Sequence, residues 1–525
     1  MANVVPIDIV APGAKGLNTE AANTLLDPKW ATVALNAVVN RSGRMAARKG
    51  WASATTTGIS GDHLIDTLFE FLEEDGTSTV ISCANNEIYK NLDDFTNVAN
   101  NLTSTTAPTA DHWKFVNFNN KILGFQRGHT AIVRTSGDFA DQSLTTTGQP
   151  GSFDEGNEAV AAFGRVWMVD ADLQTIRYSV LLDDTDYSSA SGGGWIDMSS
   201  VWTQGMDEIV ALAVIGSNLV CFGKNHIVLW ADGSGSEIGL DPTNIEVVDT
   251  IEGTGCIARD SVANTGEGDL LFLSRHGVQS LGRVIESKSN PIVTLSKNVN
   301  ADMLEAIKQS RASDAELDRV RAIHSPEQGM YIINFPTISK QFVFDTNHQF
   351  EDNDGAIVFP VTTWNLGGDI AGMVSLTGGQ LYFGSNGVVG LYSTNQDNGS
   401  AYDFQYESGW LDFGDPQLNH RLKMLKEILA SVSIGDGSIA WTWEFDFSGT
   451  TLQRLATYSG STSAEFNVAE FNVDEFSGAV TIQRKNLPAH GEGQFIKLGA
   501  TASVNGFDMV VQHISIAPKI GRMVT

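Results

Sequence analysis

The chain has 525 residues, 42% of them hydrophobic, 52 glycines and a formal charge of −29. That length suffices for two to four domains around a substantial core. An acidic body repels phosphate, which excludes a nucleic-acid binder working by counterion release, and no run of about 18 apolar residues exists to make a membrane-spanning helix.

The opening Met1–Gly13 stretch lacks a basic region followed by a long apolar one, so no secretory leader is expected. LLDPKWATVALNAVVN begins at Leu25. Pro28 after Asp27 suits the first turn of a brief helix, with a strand to follow. Next comes the one basic cluster, Arg41, Arg44, Arg48 and Lys49. Residues 1–60 hold six basic and three acidic groups (+3), residues 395–525 nine and fifteen (−6), which leaves −26 for 61–394. The cluster is a candidate docking arm onto an acidic neighbour, including another copy of this chain; a solvated loop face is the alternative.

A two-strand phrase then recurs seven times, starting at Ser78, Asn120, Gly164, Ser217, Gly268, Gln328 and Gly379. Successive starts are 42, 44, 53, 51, 60 and 51 residues apart. Each copy is an apolar strand, a short polar or glycine turn and a second apolar strand. A third apolar run, such as IVALAVIG from Ile209, precedes most copies. This period and pattern predict a β-propeller of six or seven blades over 61–394. The longest spacing holds ADMLEAIKQS from Ala301, where Met303, Leu304 and Ile307 predict a short amphipathic helix with Asn300 as its N-cap.

After Tyr392 the repeat gives way to STNQDNGSA, and alternation resumes at Tyr402. The runs RLKMLKEILASVSI, IAWTWEFDF, AVTIQRKNL, QFIKLGATAS and FDMVVQHISIAP predict a C-terminal β-sandwich of jelly-roll type over 395–525. Within it EFNVAEFNVDEF repeats every five residues, a period that fits neither helix nor strand. Phe466, Phe471 and Phe476 either pack down on the sandwich or form a second candidate interface.

Catalytic and metal signatures are missing: there is no HExxH, no CxxC pair and no phosphate-binding glycine loop. Cys83, Cys221 and Cys256 are far apart and read as small buried hydrophobes, with no disulfide framework. EDNDG from Glu351 offers Asp352 and Asp354 as oxygen ligands but lacks the further carboxylates of a calcium loop. No cofactor and no metal are expected. Acidic residues abound, so no glycosidase-type carboxylate pair can be singled out.

Both ends carry a family likeness. Between Lys15 and Trp51, the positions Gly16, Leu17, Asn18, Leu25, Leu26, Pro28, Asn36, Gly43, Arg48, Gly50 and Trp51 match an opening pattern. YESGWLDFGDPQLNHRLKMLKEILASV and the closing FDMVVQHISIAPKIGRM match a second. With the propeller-like middle, the chain resembles the tail nozzle (tail tubular protein B-like) proteins of short-tailed bacteriophages, the podoviruses. The resemblance implies a structural virion protein without enzymatic activity. It implies a homo-hexameric ring in the virion tail, made in the bacterial host cytoplasm. Its partners would be the head-to-tail adaptor protein above it and tail fibres, and genomic DNA would pass through the channel without sequence-specific binding. Residues 1–60 would be an N-terminal docking segment. The alternatives are a propeller-based receptor- or glycan-binding tail protein and, behind it, a glycan hydrolase.

Overall fold

Short polar interruptions set the path of residues 7–53. Asp27 Oδ1 accepts from the Lys29 amide at 2.9 Å, an Asx turn that competes with helix formation, and the expected helix around Pro28 is replaced by turns. Asn36, at φ +52°, splits VALNAVV into two strands. The N-terminal strands are β1 (Ile7–Val10), β2 (Val33–Leu35), β3 (Ala37–Val39), β4 (Met45–Ala47) and β5 (Gly50–Ser53). The computed structural model describes residues 7–103, 111–151, 153–203, 205–232, 242–266, 268–282, 294–311, 317–351, 357–412, 421–459 and 482–523.

Each of the seven sequence repeats is a hairpin. Asn85–Asn86 joins the two strands of the first hairpin, and Asn119–Asn120 joins β9 to the first strand of the second, each pair at positive φ, the backbone of a two-residue turn whose twist matches that of the strands. Blade 1 is Thr67–Leu72, Ser78–Ala84 and Glu87–Lys90 (β6–β8). Blade 2 is Lys114–Phe118, Lys121–Gln126, His129–Arg134 and Ala140–Asp141 (β9–β12). Blade 3 is Gly156–Ala162, Arg165–Asp170, Thr175–Tyr178 and Gly194–Asp197 (β13–β16). Blade 4 is Ile209–Ile215, Asn218–Gly223, His226–Asp232 and Ile245–Glu252 (β17–β20). Blade 5 is Ala263–Asn264, Leu270–Ser274 and Gly277–Ser280 (β21–β23). The sixth unit is Arg321–Ser325, Met330–Phe335 and Lys340–Asp345 (β24–β26), completed, after a small hairpin of Phe350–Glu351 and Ile357–Val358 (β27, β28), by Val361–Trp364 (β29). Blade 7 is Met373–Ser375, Leu381–Gly384 and Val389–Thr394 (β30–β32).

The first strands of successive units lie side by side, and blade 7 returns to blade 1. Six of these units are sheets of their own, a six-blade propeller arrangement in a nearly all-β chain; the sixth unit in chain order is instead one end of a larger sheet. Blade 7 takes its fourth strand from β5, with Trp51 opposite Tyr392. Gly390 is required there, since a Cβ would stand 2.3 Å from the Trp51 ring.

Beyond the propeller run β33 (Tyr402–Glu407), β34 (Arg421–Ile434), β35 (Gly437–Phe445), β36 (Leu452–Tyr458), β37 (Ile482–Pro488), β38 (Glu492–Gly493), β39 (Ile496–Val504) and β40 (Met509–Met523). One nine-stranded sheet is ordered β24-β25-β26-β29-β2-β33-β39-β35-β36, so β2 stitches the sixth unit to the C-terminal strands. A seven-stranded sheet is ordered β3-β4-β40-β34-β37, with β1 on β40 and β38 on β34. Ile428, Val432, Ile514 and Ile516 of the second sheet share one buried cluster with Phe404, Trp441, Trp443 and Leu498 of the first.

Helix α1 (Asn300–Ser310) buries Met303, Ala306 and Ile307. Two details differ from expectation. Leu304 is partly exposed. Asn300 is the first helical residue rather than the N-cap, and Val299, which caps nothing with its side chain, stands before it. The Ala301 amide instead donates to the Glu20 carboxylate from the N-terminal loop. All three cysteines are buried and free.

Candidate functional site

The four N-terminal cations divide by burial. Arg48 is 1% exposed. Its guanidinium donates to both Asp397 oxygens (2.8 and 2.6 Å), to Asn36 Oδ1 (3.0 Å) and to the Asn365 carbonyl (2.7 Å). It also stacks 4.1 Å from the Tyr402 ring centre. Arg48 is therefore not an interface residue for another molecule: its charge is consumed by Asp397 where β5, β29 and β33 converge. Lys49 Nζ donates to Asp508 (2.6 Å) and Asn395 (3.0 Å), and Arg44 to the Gln512 carbonyl (3.1 Å). Arg41 alone of the four is strongly exposed, at 80% of its side chain, beside Glu327 at 3.4 Å. Phe466, Phe471 and Phe476, with Asp352 and Asp354, lie outside the described residues.

A second charged group spans the propeller axis, and the residue-by-residue reading missed it. Lys114 on β9, Glu158 on β13 and Arg321 on β24 stand on first strands, with Arg259 and Asp260 in the 3-10 turn before β21 and His112 just before β9. Arg259 reaches from blade 5 to the Asn157 carbonyl of blade 3 (2.9 Å) and the His112 carbonyl of blade 2 (3.1 Å). Arg321 reaches Thr67 Oγ1 of blade 1 and His112 Nδ1, both at 3.0 Å. These bonds cross the ring. Asp260 Oδ2 sits 3.0 Å from Arg259, 3.7 Å from Arg321 and 3.2 Å from His112 Nε2. Lys114 Nζ is 3.0 Å from Glu158 and 3.7 Å from Asp260.

The two carboxylates are held in opposite states. Burial pushes Glu158, which is 0% exposed, up to about 7 against the pull of Lys114 and Arg259. Burial also opposes ionisation of Asp260, but Arg259 and Arg321 prevail and hold it well below the usual carboxylate range. Burial, then Arg321 and Arg259, bring His112 down to about 4. A guanidinium only donates, so neutral His112 accepts at Nδ1 and turns its Nε2–H toward Asp260. One protonatable and one ionised carboxylate is the pairing an acid–base catalyst uses. Here both are sealed, Asp260 at 9% of its side chain, so at this level the group closes the propeller's own axis.

Among the clefts outside it, two border the N-terminal segment. One, of about 530 Å³, is lined by Asn36, Trp51, Asn365, Asn386, Tyr402 and Asp403 among others. The other, of about 350 Å³, lies at the N-terminal loop beside Trp30, Asn298 and Phe350. Among the described residues no group of three His, Cys, Asp or Glu is placed to hold a metal ion. No helix among them is long and apolar enough to cross a membrane.

No family model matches the sequence. A stretch of 106 residues is 31% identical to a dihydrofolate reductase of Staphylococcus haemolyticus; it covers 20% of this chain and 61% of the length of that curated relative. Among solved structures, a streptogramin B lyase is 12% identical with a TM-score of 0.38, covering 64% of this chain and 95% of that one. YCF48 bound to D1 peptide is 11% identical with a TM-score of 0.37 (66% and 96%). The WD40 propeller domain of Doa1 is 13% identical with a TM-score of 0.29 (53% and 90%). Likeness this loose carries nothing further; the propeller stands on the strand pairing of the chain itself.

Proposed function

We propose that this chain is a structural subunit of a short phage tail, the nozzle of a homo-hexameric ring, built on the propeller and without enzymatic activity. One observation supports the reading most. The two stretches that resemble nozzle proteins, more than 350 residues apart, assemble against each other. The Thr32 amide donates to the Glu407 carbonyl (2.8 Å) and the Trp410 amide to the Asn23 carbonyl (2.8 Å), while Lys49 Nζ donates to Asp508 (2.6 Å) and Arg44 to the Gln512 carbonyl (3.1 Å). Just ahead of the second stretch, the Asp403 carbonyl accepts from the Asn36 side-chain amide at 2.8 Å. The two family-like stretches are thus in direct contact in the fold. In this reading the C-terminal sheets form a sandwich, and the N-terminal segment laces it to the propeller while Arg41 stays available to the adaptor or a neighbour. The DNA conduit runs between copies, because each propeller axis is closed by its own charges. An acidic wall then lets DNA slide without phosphate-neutralising contacts.

A second reading, a receptor- or glycan-binding tail protein, draws on the 530 Å³ cleft, whose amide, carboxylate and aromatic lining suits a hydroxyl-rich ligand. Immuno-electron microscopy of phage particles with antibody to this chain separates the two. Label confined to the distal tail is expected; label on side fibres moves the assignment to the binding reading. Absence of label from intact particles sinks both.

A further inference from the structure

The N-terminal cations are largely occupied within the chain, so a contact to an acidic neighbour must use others. β36 and β37 are the end strands of their two sheets among the described residues, and they lie against each other. Gln483 Nε2 donates to the Ser459 carbonyl at 2.7 Å, and Lys485 Nζ lies 5.7 Å from the Tyr458 ring centre. End strands present unpaired N–H and C=O groups, a template for another chain.

This edge carries Arg454 on β36 and Arg484 and Lys485 on β37, all exposed. Neither arginine has an ion-pair partner among the described residues. Leu455 and Ile482, 65% and 63% exposed, stand beside them. Beside them on β37, Asn486 donates to Glu427 at 2.8 Å. Three exposed cations along one edge stand out in a chain of net charge −29 whose stretch 61–394 carries −26. Cations on the rim of an interface set its on-rate, register and salt dependence.

We propose that the β36–β37 edge is the surface by which one copy seats on the acidic propeller of the next. This rests on the ring-forming reading above and names its contact. The contact is heterologous: a basic edge meets a different, acidic surface, the arrangement that closes a ring when the rotation fits.

Sedimentation velocity of the full chain at low and high salt tests it. Wild type is expected to assemble at low salt and to dissociate as salt rises. The triple reversal Arg454→Glu, Arg484→Glu, Lys485→Glu is expected to weaken assembly by about tenfold or more, since three exposed attractions become repulsions. The charge-preserving pair Arg454→Lys, Arg484→Lys should assemble as wild type does, and circular dichroism should find all variants folded. A triple variant that assembles like wild type overturns this contact while leaving the ring intact. Wild type that stays monomeric at low salt overturns the ring itself, and this contact with it.

Discussion

Arg48 shows how a single side chain joins distant parts of the fold. A buried ion pair is not strongly stabilising in itself, because desolvation offsets most of the attraction, but removing one partner strands the other in a dry site. Arg48→Ala should therefore cost about 3–5 kcal/mol, read as a lower midpoint in urea. The axial groups supply a prediction with a sign. Glu158 rises from 4.5 to about 7 on folding, so its contribution is present in acid and is lost as pH climbs through that interval. His112 falls from 6.5 to about 4, so it works the other way, favouring the folded state as pH rises through that interval. The two slopes oppose each other where the intervals overlap. Glu158→Gln should expose a stability that rises with pH toward 6.5, and His112→Gln one that falls with pH toward 7. Thermal denaturation across that range reads both; parallel slopes in the two variants would refute the assignment.

At the scale of elements, the ring depends on a borrowed strand. β5 completes blade 7, and Gly390 makes room for the Trp51 indole. Gly390→Ala should cost about 1–3 kcal/mol by overpacking, whereas alanine at Gly151, at φ +72° with nothing within 4 Å of an added Cβ, would be strained by its backbone rather than by packing. The seven hairpins were legible in the sequence because each has its own turn chemistry and apolar strands of ordinary length. The outermost strands were not. Ala140–Asp141 is two exposed residues, too short to show any period, and the last strand of blade 7 lies 341 positions before its partner in the register Trp51–Tyr392. Arg48 was misjudged for a related reason: a cluster of four cations looks alike in sequence whether one is buried against Asp397 or all face water. The axial charges did leave a trace. Lys114 and Arg321 open their first strands and Glu158 stands near the start of its own, and laying those strands over one another would have drawn attention to them.

At the scale of the molecule, β2 makes the sixth unit and the C-terminal strands one sheet, with β29 on one side and β33 on the other. Such continuity couples their unfolding. Calorimetry of the full chain should find one dominant transition; two well-separated ones would show that the sheets melt independently. Removing residues 7–53 takes away β1 to β5 together, and the remainder should lose that cooperativity rather than survive as an intact propeller.

The borrowed strand also sets an order of events during synthesis. Trp51 leaves the ribosome long before Tyr392 exists, and at about 5–20 residues per second the wait is roughly 17–70 s. The nascent chain spends that interval with its ring open and the GWAS strand of Gly50–Ser53 unpaired. On a crowded polysome, the seventh blade of a neighbouring chain nearer completion offers that strand the same register. Strand exchange between sister chains is thus the misfolding route built into this closure, and widely spaced ribosomes with fast elongation are the condition under which each ring closes on itself.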